Sequence, residues 1–122
     1  MKYLILIYSD AESQQAWAGL SDAQRSEGFG EYAELNAELA ASGELVMAEA
    51  LDQSYSTIVT VRQGKTVITD GPFADADEQV AGFYLLECAS RERAVEIAAR
   101  IPDAQYAHVE VRPVLDLSGQ AT

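Results

Sequence analysis

The chain has one cysteine, one histidine, one tryptophan and three prolines in 122 residues. The lone thiol, Cys88, excludes an internal disulfide and fits a reducing compartment, so a cytoplasmic location is expected. At the end of an apolar run, Cys88 reads as a small buried hydrophobe rather than a nucleophile. Basic residues are scarce as well: eight Lys and Arg stand against 20 Asp and Glu, for a net charge of −12. They are scattered, with no basic stripe, which argues against binding to a nucleic-acid backbone or an anionic membrane surface. An anion site would require these cations to converge in the folded chain. No apolar run approaches the ~20 residues that span a bilayer. The opening Met1 to Tyr8 lacks a small-residue cleavage site and reads as a strand rather than a leader. Glycine-rich phosphate loops, zinc-type histidine pairs, EF-hand spacing and Ser-His-Asp series are all missing, so no metal or cofactor is expected.

What remains is the pattern of one globular domain, residues 1–117, followed by a polar tail, residues 118–122, expected to fray. Tyr3 to Tyr8 is apolar at every position, as in a central strand covered on both sides. Ala11 to Gly19 is expected to form a short helical or irregular arm around Trp17. Ser21 is placed to cap a long helix whose stripe runs Phe29, Tyr32, Leu35, Asn36 and Leu39, with Gly43 as its left-handed end. Strands follow at Glu44 to Leu51 and Val80 to Cys88. Between them, β-branched runs flank Gln63-Gly64 and predict a hairpin. Ser90 caps a second helix with the stripe Ala94, Ile97, Ala98 and Ile101, which Pro102 helps to end, and His108 to Val114 closes the chain.

The order is strand, helix, strand, hairpin, strand, helix, strand. Two helices can cover only one face of such a sheet, yet its central strands are apolar on both. A second copy of the chain is the economical cover, so a homodimer with two sheets face to face is expected.

Asp70-Gly71-Pro72-Phe73 is the most distinctive stretch. Gly71 permits unusual backbone angles, Pro72 fixes φ, and Asp70 is suited to opening a turn, with Phe73 as an apolar plug beyond it. With Val109-Glu110-Val111-Arg112-Pro113, Trp17, Leu20-Ser21, Glu49-Ala50-Leu51 and Gly82-Phe83-Tyr84-Leu85-Leu86, it resembles the YCII-related (DGPF-domain) family over nearly the whole length. The resemblance implies an α+β fold, ferredoxin-like, assembling as a dimeric α+β barrel. Smaller members of that family include a dehydrochlorinase of ring-cleavage products and use a His–Asp pair. By an ungapped count back from Gly43 their histidine falls on Tyr32, and their aspartate, which precedes a late proline, falls on Ile101 before Pro102. Neither residue type is kept at those positions. Larger members are often encoded beside extracytoplasmic-function sigma factors, which implies a regulatory or accessory role and a sigma-factor association. Asp77 and Ala81 depart from the lysine and glycine common in the family.

Two constellations could carry chemistry. His108, Glu110 and Arg112 share a strand face, where a histidine beside a carboxylate could act as a base near neutral pH or simply flank an ion pair. Asp70 and Glu78 could converge and push their pKa values apart, or Asp70 could merely hold its turn. Asp75 and Asp77 add acidity to this segment without matching a cation loop. The expected site holds His108, Asp70 and Glu78 as proton-moving groups, with Arg112, Tyr32, Glu49 and Glu110 binding a small anionic ligand. Trp17, Phe29, Tyr32, Tyr84 and Tyr106 are expected to build core and pocket wall. An acid/base enzyme and a non-catalytic ligand-binding or regulatory module both fit these residues.

Overall fold

The alternation along Lys2–Ser9 (β1) sets the layers of the fold. Tyr3, Ile5, Ile7 and Ser9 are buried on one face, while Leu4, Leu6 and Tyr8 are half-buried on the other. A computed structural model describes residues 1–73 and 77–119. Leu45–Ala50 (β2), Gln79–Glu87 (β5) and Val109–Pro113 (β6) join β1 in an antiparallel sheet of order β2-β5-β1-β6. Ser56–Arg62 (β3) and Lys65–Gly71 (β4) form a separate two-stranded hairpin inserted between β2 and β5. Apart from that insertion the chain is a βαββαβ unit with the strand order of a ferredoxin-like α+β fold.

Local chemistry explains the helix boundaries. Asp10 accepts from the Ser13 amide at 2.7 Å and Ser13 Oγ returns the bond at 2.9 Å, a reciprocal cap that starts Ala11–Ala18 (α1). Ser21 and Gln24 make the same exchange at the start of Asp22–Ser42 (α2), which ends at Gly43 with φ 80°. Ser90 caps Arg91–Ala99 (α3). The short arm around Trp17 is therefore a true helix. Pro102 does more than stop α3, since it opens a 3-10 turn over Pro102–Gln105.

Leu35 and Leu39 from α2, and Ala94, Ile97 and Ala98 from α3, bury against Ile5, Tyr84 and Leu86 of the sheet. Phe29 departs from the predicted apolar stripe. It stays 64% exposed and meets Trp17 edge-on, with ring centroids 5.4 Å apart and planes at 81°. Arg93 clasps Glu44 through two bonds of 2.9 Å, tying α3 to the entry of β2. The hydrogen bonds from the Arg93 guanidinium hold the Glu44 carboxyl down at about 2.

The hairpin turn falls at Gln63 (φ 51°) and Gly64 (φ 75°), a pair of left-handed residues that matches the strand twist. Asp70 does not open a turn. It lies inside β4 opposite Thr57, and Gly71 still pairs with Ser56, so the ladder runs two residues into the signature. A Cβ on Gly71 would displace the Ser56 hydroxyl, which can rotate away, and would then pack 3.3 Å from Ser56 Cβ and Ile58 Cγ1. Phe73 is 67% exposed within a single chain.

Gly82 faces a tighter constraint. An added Cβ would lie 2.8 Å from the Glu49 carbonyl oxygen on the neighbouring strand, and backbone cannot step aside cheaply. Gly82→Ala is expected to destabilise the protein by about 1–3 kcal/mol through that overlap. Gly30 is in α2 with nothing within 4 Å of the added carbon, so Gly30→Ala should stabilise by about 1 kcal/mol. Urea unfolding of the two variants checks both signs.

Candidate functional site

Small side chains open the sheet where the helices approach it. Ala48 and Ala50 on β2 pair with Tyr84 and Gly82 on β5, so the helix-side floor has little bulk at this end. A cavity of about 530 Å³ results. Trp17 of α1, together with Phe29, Tyr32 and Asn36 of α2, walls it from above, and Pro102, Asp103 and Tyr106 close one end. Gly28 makes room for this wall, since a Cβ there would lie 3.3 Å from the Trp17 ring. Arg25 steadies the same wall by donating to the carbonyls of Ala18 at 3.2 Å and Leu20 at 2.6 Å, beyond the last turn of α1.

The polar groups fall into two clusters. At one end the Tyr32 hydroxyl donates to Asp103 Oδ1, and the Tyr84 hydroxyl donates to Asn36 Oδ1. Asp103 Oδ2 accepts no hydrogen bond among the described residues and is reached by solvent, since no buried side-chain oxygen among them lacks a partner. Burial raises the Tyr32 phenol well above its ordinary value, and the bonded Asp103 carboxylate adds to this. Burial likewise pushes Tyr84 up to about 12, with the Asp103 charge contributing and the Asn36 bond opposing. Both phenols therefore stay protonated at neutral pH. At the other end the Ser9 hydroxyl bonds Gln53 Oε1, and Gln14 Nε2 lies 3.4 Å from the same oxygen. This end is neutral, with amides and hydroxyls that can either donate or accept.

The residues expected from sequence are distributed over three places. Tyr32 lines the cavity. Glu49 borders it, but its position opposite Phe83 turns the side chain to the far face of the sheet. Glu110 and Arg112 also belong to that far face, opposite Leu6 and Leu4. There Tyr8 donates to Glu110 at 3.0 Å, raising the Tyr8 phenol, and Arg112 lies 3.8 Å from the same carboxylate. His108 Nδ1 meets Glu78 at 2.9 Å, with the imidazole 70% exposed. Asp70 is on the exposed hairpin, while Glu78 is committed to His108. Asp75 lies outside the described residues.

The five aromatic residues taken as pocket wall all line the cavity. Asp103 is not among the residues expected from sequence, and no motif marks it; the 3-10 turn opened by Pro102 brings it to the Tyr32 hydroxyl.

The family model described as YCII-related domain matches residues 1–118. An uncharacterized protein, R00369, of Rhizobium meliloti (strain 1021) is 29% identical over 116 residues, covering 93% of this chain and 92% of that protein.

The raised phenols have a pH consequence of definite sign. Tyr84 loses its proton near 10 when unfolded and about 12 when folded, so the folded state holds the proton longer. Its contribution to stability is complete below pH 10 and is lost as pH climbs toward 12. Spectrophotometric titration of the native protein is expected to show late-ionising tyrosines, with Tyr32→Phe and Tyr84→Phe each removing one of them.

Proposed function

The chain belongs to the YCII-related domain family, and on that premise we propose that it binds a small organic molecule in the helix-side cavity. Asp103 serves as the group that accepts a hydrogen bond or a proton from the ligand. The observation that carries this reading is a cavity of about 530 Å³ in which one carboxylate is bonded by a tyrosine held protonated. Tyr32 keeps the Asp103 side chain oriented while leaving its second oxygen to the ligand. A carboxylate so placed can hold a ligand or, with a substrate bearing an acidic C–H or O–H, act as general base. Tyr32 stands where the resemblance puts the family's histidine, while its partner Asp103 lies two residues past Ile101, and in this Tyr–Asp pair the carboxylate alone can take a proton.

The far face of the sheet has a separate role. Leu4, Leu6, Phe83 and Leu85 are half-buried there, and Val59, Val61 and Ile68 on one side of the hairpin are 60%, 66% and 68% exposed. This apolar surface supports a homodimer in which a second copy covers the sheet and gives the hairpin a packing partner.

Trp17 is the chain's single tryptophan and lines the cavity, so its emission reports occupancy directly. The neutral fluorophore N-phenyl-1-naphthylamine is expected to quench Trp17, and Ala50→Phe, which fills the floor, should abolish the quenching in a folded protein. Unaltered quenching in that variant would place the dye elsewhere. Sedimentation equilibrium at micromolar concentration should give twice the chain mass, and Leu6→Glu should give a monomer.

A further inference from the structure

The charge inventory of the cavity narrows what it can hold. No lysine, arginine or histidine lines it. The eight basic side chains are otherwise placed. Arg25 is committed to backbone carbonyls at the end of α1, and Arg93, Arg100 and Arg112 lie beside Glu44, Glu38 and Glu110. Arg62 and Lys65 face each other at the hairpin tip, and Lys2 and Arg91 are exposed outside the lining. Residues 74–76 and 120–122 contain no basic side chain. An anion entering the cavity would therefore meet no countercharge from this chain. It would also approach against a net charge of −12 and be desolvated beside Asp103.

A cation meets the opposite conditions. Asp103 offers an unpartnered oxygen at the end closed by Tyr32 and Tyr106, and the aromatic faces there attract positive charge. Beyond the carboxylate, Trp17 and Phe29 stand over a floor of Ala48, Ala50 and Gly82, a surface that suits an apolar or flat group. The amide end at Ser9, Gln14 and Gln53 adds neutral hydrogen bonding without charge.

We infer that the cavity takes a protonated amine carried on an apolar or aromatic body, with the ammonium on Asp103 and the body between Trp17 and the alanine floor. This rests on the cavity being the binding site, and it assigns that site the opposite ligand charge from the one Arg112 suggested. Arg112 lies on the far side of the sheet and cannot contribute to this cavity within one chain.

Three probes with the same ring and tether separate the charge states: phenethylamine, 2-phenylethanol and 3-phenylpropionate, titrated at pH 7 against Trp17 emission. Phenethylamine is expected to bind about tenfold or more tighter than 3-phenylpropionate, as a charge-assisted hydrogen bond should give. Asp103→Asn should erase that preference while leaving 2-phenylethanol binding nearly unchanged, and Tyr32→Phe should keep the preference because the carboxylate remains. Equal binding of all three, tighter binding of the carboxylate, or an amine preference that survives Asp103→Asn overturns the inference and leaves the cavity reading standing. Trp17 emission unmoved by any probe overturns both. The wild-type comparison decides the charge preference even if Asp103→Asn fails to fold.

Discussion

A central strand with hydrogen-bonded neighbours on both edges is the constraint from which the rest follows. β1 pairs with β5 on one side and β6 on the other, so its register fixes which side chains of both neighbours face the helices. Because Ile5 opposes Tyr84 and Val111, those residues share the helix face, and because Leu6 opposes Phe83 and Glu110, those share the other. A shift of one residue would exchange the faces and bury Glu110 and Arg112 under the helices. The cost of burying those charges, more than any local propensity, selects the observed pairing.

That register also separates two chemistries that lie close together in sequence. The helix face ends in small residues and encloses Tyr32, Asp103, Tyr84 and Asn36. The opposite face carries the linked side chains of Tyr8, Glu110 and Arg112 amid half-buried leucines. The first arrangement is concave and partly buried, so a hydrogen bond there is less weakened by water than on an open surface. Within a single chain the second is more exposed, and there its ion pair contributes little to stability by itself.

The fold was largely legible in the sequence because its signals are local. Ser21, Gly43, Ser90 and Gln63-Gly64 each act through their own backbone within a few residues, and each is found in the predicted role. The unbroken apolar run of Tyr3 to Tyr8 likewise marked the middle of the sheet. The site was much less legible, because it depends on which side of the sheet a residue faces and on contacts spanning the chain. Tyr32, expected to contact a ligand, lines the cavity, but Asp103 is 71 residues away and reaches it only through the turn at Pro102. Ser9, Asn36 and Gln53 carry no motif, and proximity alone makes them a cavity wall. Asp70 misled for the converse reason. Its neighbours Gly71 and Pro72 announce a bend, while the ladder to β3 continues through it.

The excursion formed by β3 and β4 leaves β2 and rejoins at β5, two strands that are already zipped to each other. Its two ends are therefore held close by the sheet, whatever its length. Such a loop-out is modular: its two strands can grow, shrink or be exchanged without rethreading the domain, provided that Leu51 and Gln53, where the chain leaves β2, keep their place in the cavity lining.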